Sequence, residues 1–241
     1  MASTSDSSRD AFAATRWSLI TRFRGSADDG SSRALGELCA RYRYPVYAYL
    51  RACAHAPPIA LDIAGSFLRH VRSTLPGRDA LDGQQFRHFL LARLRGYLVA
   101  DWRAAVEGDA GAEDADGVEL EQRYARDRAA SPTPEAAFQR AFALEVVLRA
   151  FERLREEACA TGHGAMYDAL GPFIARDPAN DECEAIAISL HTRPLAIVVA
   201  LKRLRQRLHE LASEELADTV SSADELAREQ KTMSAVLQAQ E

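Results

Sequence analysis

The chain has 241 residues, 47% of them hydrophobic, with 13 Gly and 9 Pro, which fits a compact, mostly helical globular protein and excludes a disordered one. The net charge of −5 is unevenly spread: residues 10–105 carry 14 Arg against 8 acids (+6), while residues 106–137 carry 9 acids against 3 Arg (−6). A basic block beside an acidic spacer points to an anionic partner for the block, with the spacer as its competitor, or to two solvated surfaces of opposite sign.

Lysine occurs only at 202 and 231, so almost all positive charge is arginine. The four cysteines (39, 53, 159 and 183) form no CxxC pair and lack zinc-ligand spacing with the six histidines. No metal and no cofactor is therefore expected, and the cysteines read as reduced, buried thiols. The polar start "MASTSDSSRD" has no apolar run of signal-peptide length, and no window approaches a membrane span. A cytoplasmic protein without a membrane partner is expected.

Helical periodicity dominates the chain in order, with no alternating strand pattern. "DAFAATRWSLITRFR" predicts a first helix, closed by "GSADDGSS". "RALGELCARYRYPVYAYLRAC" predicts a second, kinked at Pro45 because proline removes a backbone donor. "PPIALDIAGSFLRHVRSTL" is the third, ended by Pro76-Gly77. "DGQQFRHFLLARLRGYLVADWRAAV" is the fourth, with Phe86, Phe89, Leu90, Leu94, Tyr97 and Leu98 on a spacing of three and four. The acidic stretch that follows, with little apolar content before Leu120, reads as a flexible linker over 106–134, with room for a short helix around Tyr124.

A second block restarts at Thr133 as cap, Pro134 at the first helical position and Glu135 at the positive end of the dipole. "PEAAFQRAFALEVVLRAFERLREEA" runs to the break "TGHG", and "AMYDALGPFIA" follows. Then "NDECEAIAISL", the break "HTR" and a long helix from Pro194 make the pattern of a helix-turn-helix. The expected fold is all-α: a helical domain at 10–105, the acidic linker, a helix-turn-helix domain at 135–217, and a tail at 218–241 with a weak final helix.

The segments "TRWSL" (15–19), "LCARYRYPVYAYLR" (38–51), "FRHFLLARLRGYLVADWR" (86–103) and the chain from Pro134 to Val220 resemble, in order, a branch of the extracytoplasmic-function sigma factors of bacterial RNA polymerase. The resemblance covers roughly residues 12 to 220. It implies a first domain that binds the polymerase core and opens the proximal promoter element, and a second that sets a recognition helix in the upstream element. RNA polymerase core and promoter DNA are the partners it implies, with a Ser/Thr kinase or an anti-sigma protein as regulator.

Departures lie at the surfaces that resemblance would use. In the helix that would meet the polymerase clamp, only Asp62 keeps a negative charge, with Phe67 and Arg69 beside it as further contact residues. A contact built on several ion pairs loses steering when most charges are gone. A phosphate on Ser66 would restore about −1.5 to −2 charges. In the fourth helix, Arg87, Arg93, Arg95 and Arg103 remain for the DNA backbone, and Trp102 could stack on a base or pack the core edge.

In the long second-block helix, Arg193, Lys202, Arg203 and Arg205 are the expected DNA contacts. Positions 197, 201, 204, 208 and 211 suffice for its core stripe, leaving Leu195, Val198 and Val199 as surplus apolar surface where a base reader needs donors and acceptors. His191 replaces the glycine that usually eases the turn. Two functions follow: a sigma-like initiation factor that directs polymerase to promoters, or a degenerate sigma-like module acting through protein contacts. An enzyme is not expected, because no phosphate-cradling loop, metal cluster or nucleophile motif is present.

Overall fold

The computed structural model describes residues 29–74, 86–100, 115–127, 131–220 and 222–238. Every regular element among them is helical, as the periodicity predicts. The expected first helix, the Pro76-Gly77 stop, and Trp102 and Arg103 lie outside the described residues. The contacts divide the chain into two units, residues 1–145 with 216–241, and residues 146–215.

Among the described residues the first unit begins with α1 (Asp29–Arg41) and α2 (Arg43–Ala52). These replace the single kinked helix expected here. The break falls at Tyr42, whose amide donates to the Cys39 carbonyl at 3.0 Å, so the helix has already ended before the proline. Pro45 then sits in the first turn of α2, where a helix has no use for its missing N–H. Helix α3 (Pro57–Thr74) and α4 (Phe86–Ala100) follow. Tyr42, Phe67, Phe86, Leu90 and Leu94 are fully buried, together with Phe138 and Phe142. The Tyr42 ring stacks on Phe142 at 5.0 Å and meets Phe86 edge-on at 5.1 Å, so the break between two helices is also the centre of this core.

Part of the acidic segment is helix α5 (Ala115–Asp127). It packs on α2 and α3, with Gly117 so close to Leu61 that an added Cβ would stand 2.9 Å from the leucine methyl. Helix α6 (Pro134–Ala160) begins as the capping signal predicts: the Thr133 Oγ1 accepts the Ala136 amide at 3.1 Å.

The second unit contains α7 (Gly164–Leu170), a 3-10 turn (Gly171–Phe173), and α8 (Asn180–Ser189), followed by most of α9 (Pro194–Ala217). Its core joins Leu170, Phe173, Cys183, Ala187, Ile197 and Leu201, and a second cluster joins Ala150, Leu154 and Leu211. The stripe expected on α9 is the one observed: Ile197, Leu201 and Leu211 are buried, with Leu204 and Leu208 packed beside them.

The tail is a further helix, α10 (Ala223–Gln238), and it belongs to the first unit. Thr219, Val220, Glu229 and Met233 are all buried. The Thr219 carbonyl accepts the Phe86 amide at 3.4 Å, so the C-terminal segment supplies an acceptor that the first turn of α4 lacks.

Candidate nucleic-acid interface

Helices α8 and α9 meet at a bend of 97° across residues 190–193. Glu182 organises the start of α8: its carboxylate accepts the Ala179 amide at 2.8 Å and takes both guanidinium nitrogens of Arg176 at 2.7 and 2.8 Å. Those contacts, Arg176 foremost, hold the Glu182 carboxyl down to about 2. The turn closes as the Thr192 amide donates to the Ala187 carbonyl at 2.9 Å. His191 takes φ +50°, the left-handed region where glycine costs nothing and other residues are strained.

The cations of α9 divide into two sets. Arg205 donates to the Phe173, Ile174 and Arg176 carbonyls at 2.7 to 3.0 Å and pairs with Asp177 at 2.7 Å. It therefore stitches the loop after the 3-10 turn to α9, a structural role in place of the expected phosphate contact. Arg207 lies among Glu157, Glu210 and Glu214 at 2.8 to 3.3 Å, and the Glu157 hydrogen bonds raise its pKa further. Lys202 and Arg203 on α9, and Arg193 in the turn just before it, are different: they are exposed, and among the described residues their side chains form no ion pair or hydrogen bond. Leu195, Val198 and Val199 are 73%, 53% and 42% exposed, so apolar surface occupies the first turns of α9 and free charge the turns behind it. Leu195, Val199, Lys202 and Arg203 recur at three- and four-residue spacing and share one face.

The residues expected on the first unit fall in several environments. Arg95 pairs with Glu135 at 2.6 Å, both side chains about half exposed. Asp62 is half-buried and is the one acid on α3. Arg69 is exposed and donates to the Ser66 hydroxyl at 3.3 Å. Phe67 is fully buried with its ring 5.5 Å from Tyr97, which makes it core and removes it as a contact residue. Ser66 is 8% exposed in mid-helix, so its hydroxyl cannot reach an incoming phosphoryl group while α3 is folded, which corrects its expected modification.

The ion pairs that organise the first unit were not expected from the sequence. Arg87 and Glu229 pair at 2.9 Å with both side chains 3% exposed, and Gln139 also accepts from Arg87, so Arg87 is an interior ion-pair partner in place of the expected DNA-backbone contact. Burial pushes Glu229 up and Arg87 down, and their mutual attraction opposes both shifts. Arg41 pairs with Asp218 at 3.0 Å. Arg51 forks onto both oxygens of Glu121 at 2.8 Å, Tyr47 donates to the same carboxylate at 2.5 Å, and Tyr44 donates to Asp127 at 2.5 Å. A signal for the Glu229 contact exists: it occupies an inward position in the series Leu226, Glu229, Met233, Val236, where an unpaired acid would be costly.

Among the described residues no group of three or more His, Cys, Asp or Glu is placed to hold a metal ion, and no single helix is long and apolar enough to cross a membrane. Compared with known proteins, the chain matches no family model, no curated protein and no solved structure.

Proposed function

We propose that the chain is a sigma-factor-like regulator of transcription initiation, cytoplasmic and without catalytic activity, that binds RNA polymerase core and contacts promoter DNA through α8 and α9. The observation that carries this reading is the bent helix pair with unpaired Arg193, Lys202 and Arg203 on it. A turn of this length between helices near a right angle is the geometry of a helix-turn-helix. Phosphate contacts need cations that are not already engaged, and these three are free where Arg205 and Arg207 are not. The ordered resemblance across residues 12 to 220 supports the same reading.

Pull-down with core polymerase followed by transcription from a cognate promoter tests it. Removing Lys202 and Arg203 weakens DNA binding about equally on every sequence and lowers the salt slope by about 1 per cation. Failure of the chain to retain core polymerase overturns the reading.

The exposed Leu195, Val198 and Val199 favour a second reading, a sigma-like module that acts through protein contacts and no longer selects promoters. Under it, Val199→Asp breaks complex formation while the fold survives, and Arg193→Ala changes no base preference.

A further inference from the structure

Helix α5 is held in an unusual way. Among its described side chains only Leu120 is buried, and Val118 is exposed. Besides Leu120 and the close approach of Gly117 to Leu61, the contacts that tie it to α2 are polar or aromatic. Glu121 meets Arg51 and Tyr47, Asp127 meets Tyr44, and the Arg123 guanidinium lies 3.9 Å over the Tyr44 ring while pairing with Glu145 at 2.8 Å. The two helices run antiparallel through this ladder, Tyr44 opposite Asp127 and Arg51 opposite Glu121. On α2 the receiving groups recur at the helical spacing of 44, 47 and 51, so they form one continuous face. That face takes carboxylates presented on a helix, and the carboxylates come from the acidic segment of this same chain.

An element with few buried apolar contacts sits at the low end of local stability and opens without global unfolding. The Arg51–Glu121 and Arg123–Glu145 pairs are partly buried and depend on α5 staying docked, because the carboxylates of α5 have no partner on α2 once it leaves. Fourteen residues separate Ala100 from Ala115 and six separate Asp127 from Pro134.

We propose that the Tyr44–Tyr47–Arg51 face of α2 is a receptor for an acidic helix, and that α5 is its displaceable internal occupant. In the closed state α5 covers this face and the Leu61 side of α3. In the open state the face accepts an acidic helix from a partner, so the acidic segment regulates what the first unit can bind. The proposal does not depend on the sigma reading.

Native-state amide exchange on the full chain tests it first. Amides of 118–127 exchange at least about tenfold faster than those of α2 and α3. Glu121→Gln and Gly117→Val, which weaken the carboxylate contact and wedge α5 from Leu61 respectively, each accelerate 118–127 by about tenfold or more while α2 and α3 keep their protection. A labelled peptide of residues 115–127 then binds the Gly117→Val chain in trans and binds the unaltered chain at least about tenfold more weakly. The same peptide carrying Glu121→Gln loses that binding. Exchange of 118–127 only together with α2 and α3 in the unaltered chain overturns the proposal, as does a peptide that fails to bind the opened chain.

Discussion

Tyr42 shows how a single residue can serve packing at the expense of polarity. Its ring lies between Phe86 and Phe142, and its phenol oxygen is buried without a hydrogen-bond partner among the described residues. Burial pushes the phenol far above its ordinary range. A buried hydroxyl left unsatisfied costs about 1–3 kcal/mol, so Tyr42→Phe is expected to stabilise the first unit by about 1 kcal/mol, read as a raised denaturation midpoint at unchanged m-value. Glu182 makes the opposite case at the surface. Its folded pKa, about 2, lies below its ordinary 4.5, so its contribution is complete above 4.5 and is lost as pH falls towards 2. An NMR titration of its side-chain carboxyl should show a midpoint near 2, and Arg176→Ala should move that midpoint upward. A midpoint at the ordinary value would mean that the fork from Arg176 does not persist in solution.

Among the elements, the turn between α8 and α9 carries a strained residue, His191 at φ +50°. A left-handed conformation costs a non-glycine residue roughly 1–2 kcal/mol, and glycine gives back about 0.5–1 kcal/mol in unfolded-state entropy. His191→Gly is therefore expected to stabilise the second unit by about 0.5–1 kcal/mol, measured by chemical denaturation. Retention of histidine at φ +50° is a cost that the sequence pattern already flagged, because a glycine is usual at this turn. Helix α9 was legible in both of its faces. The stripe from Ile197 to Leu211 turned inward and Leu195, Val198 and Val199 turned outward, because helical period alone decides which positions can share a face. The fate of its arginines was not legible. Arg203 and Arg205 look alike in sequence, yet only Arg205 reaches the Phe173 and Ile174 carbonyls.

Across the whole molecule, the C-terminal segment is the largest departure from expectation. A weak helix on a tail was expected; α10 instead places Glu229 against Arg87 in the interior of the first unit. Breaking a buried ion pair from one side leaves an uncompensated charge and costs about 3–5 kcal/mol, whereas replacing both partners by apolar residues is often neutral. Glu229→Leu alone is thus expected to destabilise the first unit by about 3 kcal/mol, and Arg87→Met with Glu229→Leu to recover most of that loss. Denaturant melts of the two single variants and the double variant check it. Additive losses in the double variant would show that Arg87 and Glu229 do not act as a pair.

Thr133, Pro134 and the spacing of Ile197, Leu201, Leu204, Leu208 and Leu211 determined a helix start and a buried face by themselves, because capping and periodicity act within a few residues. The sequence by itself likewise determined that α3 would carry one acid and that acidic residues would cluster after position 105. Only the tertiary structure decided what those charges do. Arg51 with Glu121, Arg87 with Glu229, and Arg41 with Asp218 join residues 70, 142 and 177 positions apart. A charge destined for solvent and one destined for a partner carry the same letter and suit the same helix positions. What separates them is desolvation and distance in space, and neither exists until the helices have packed.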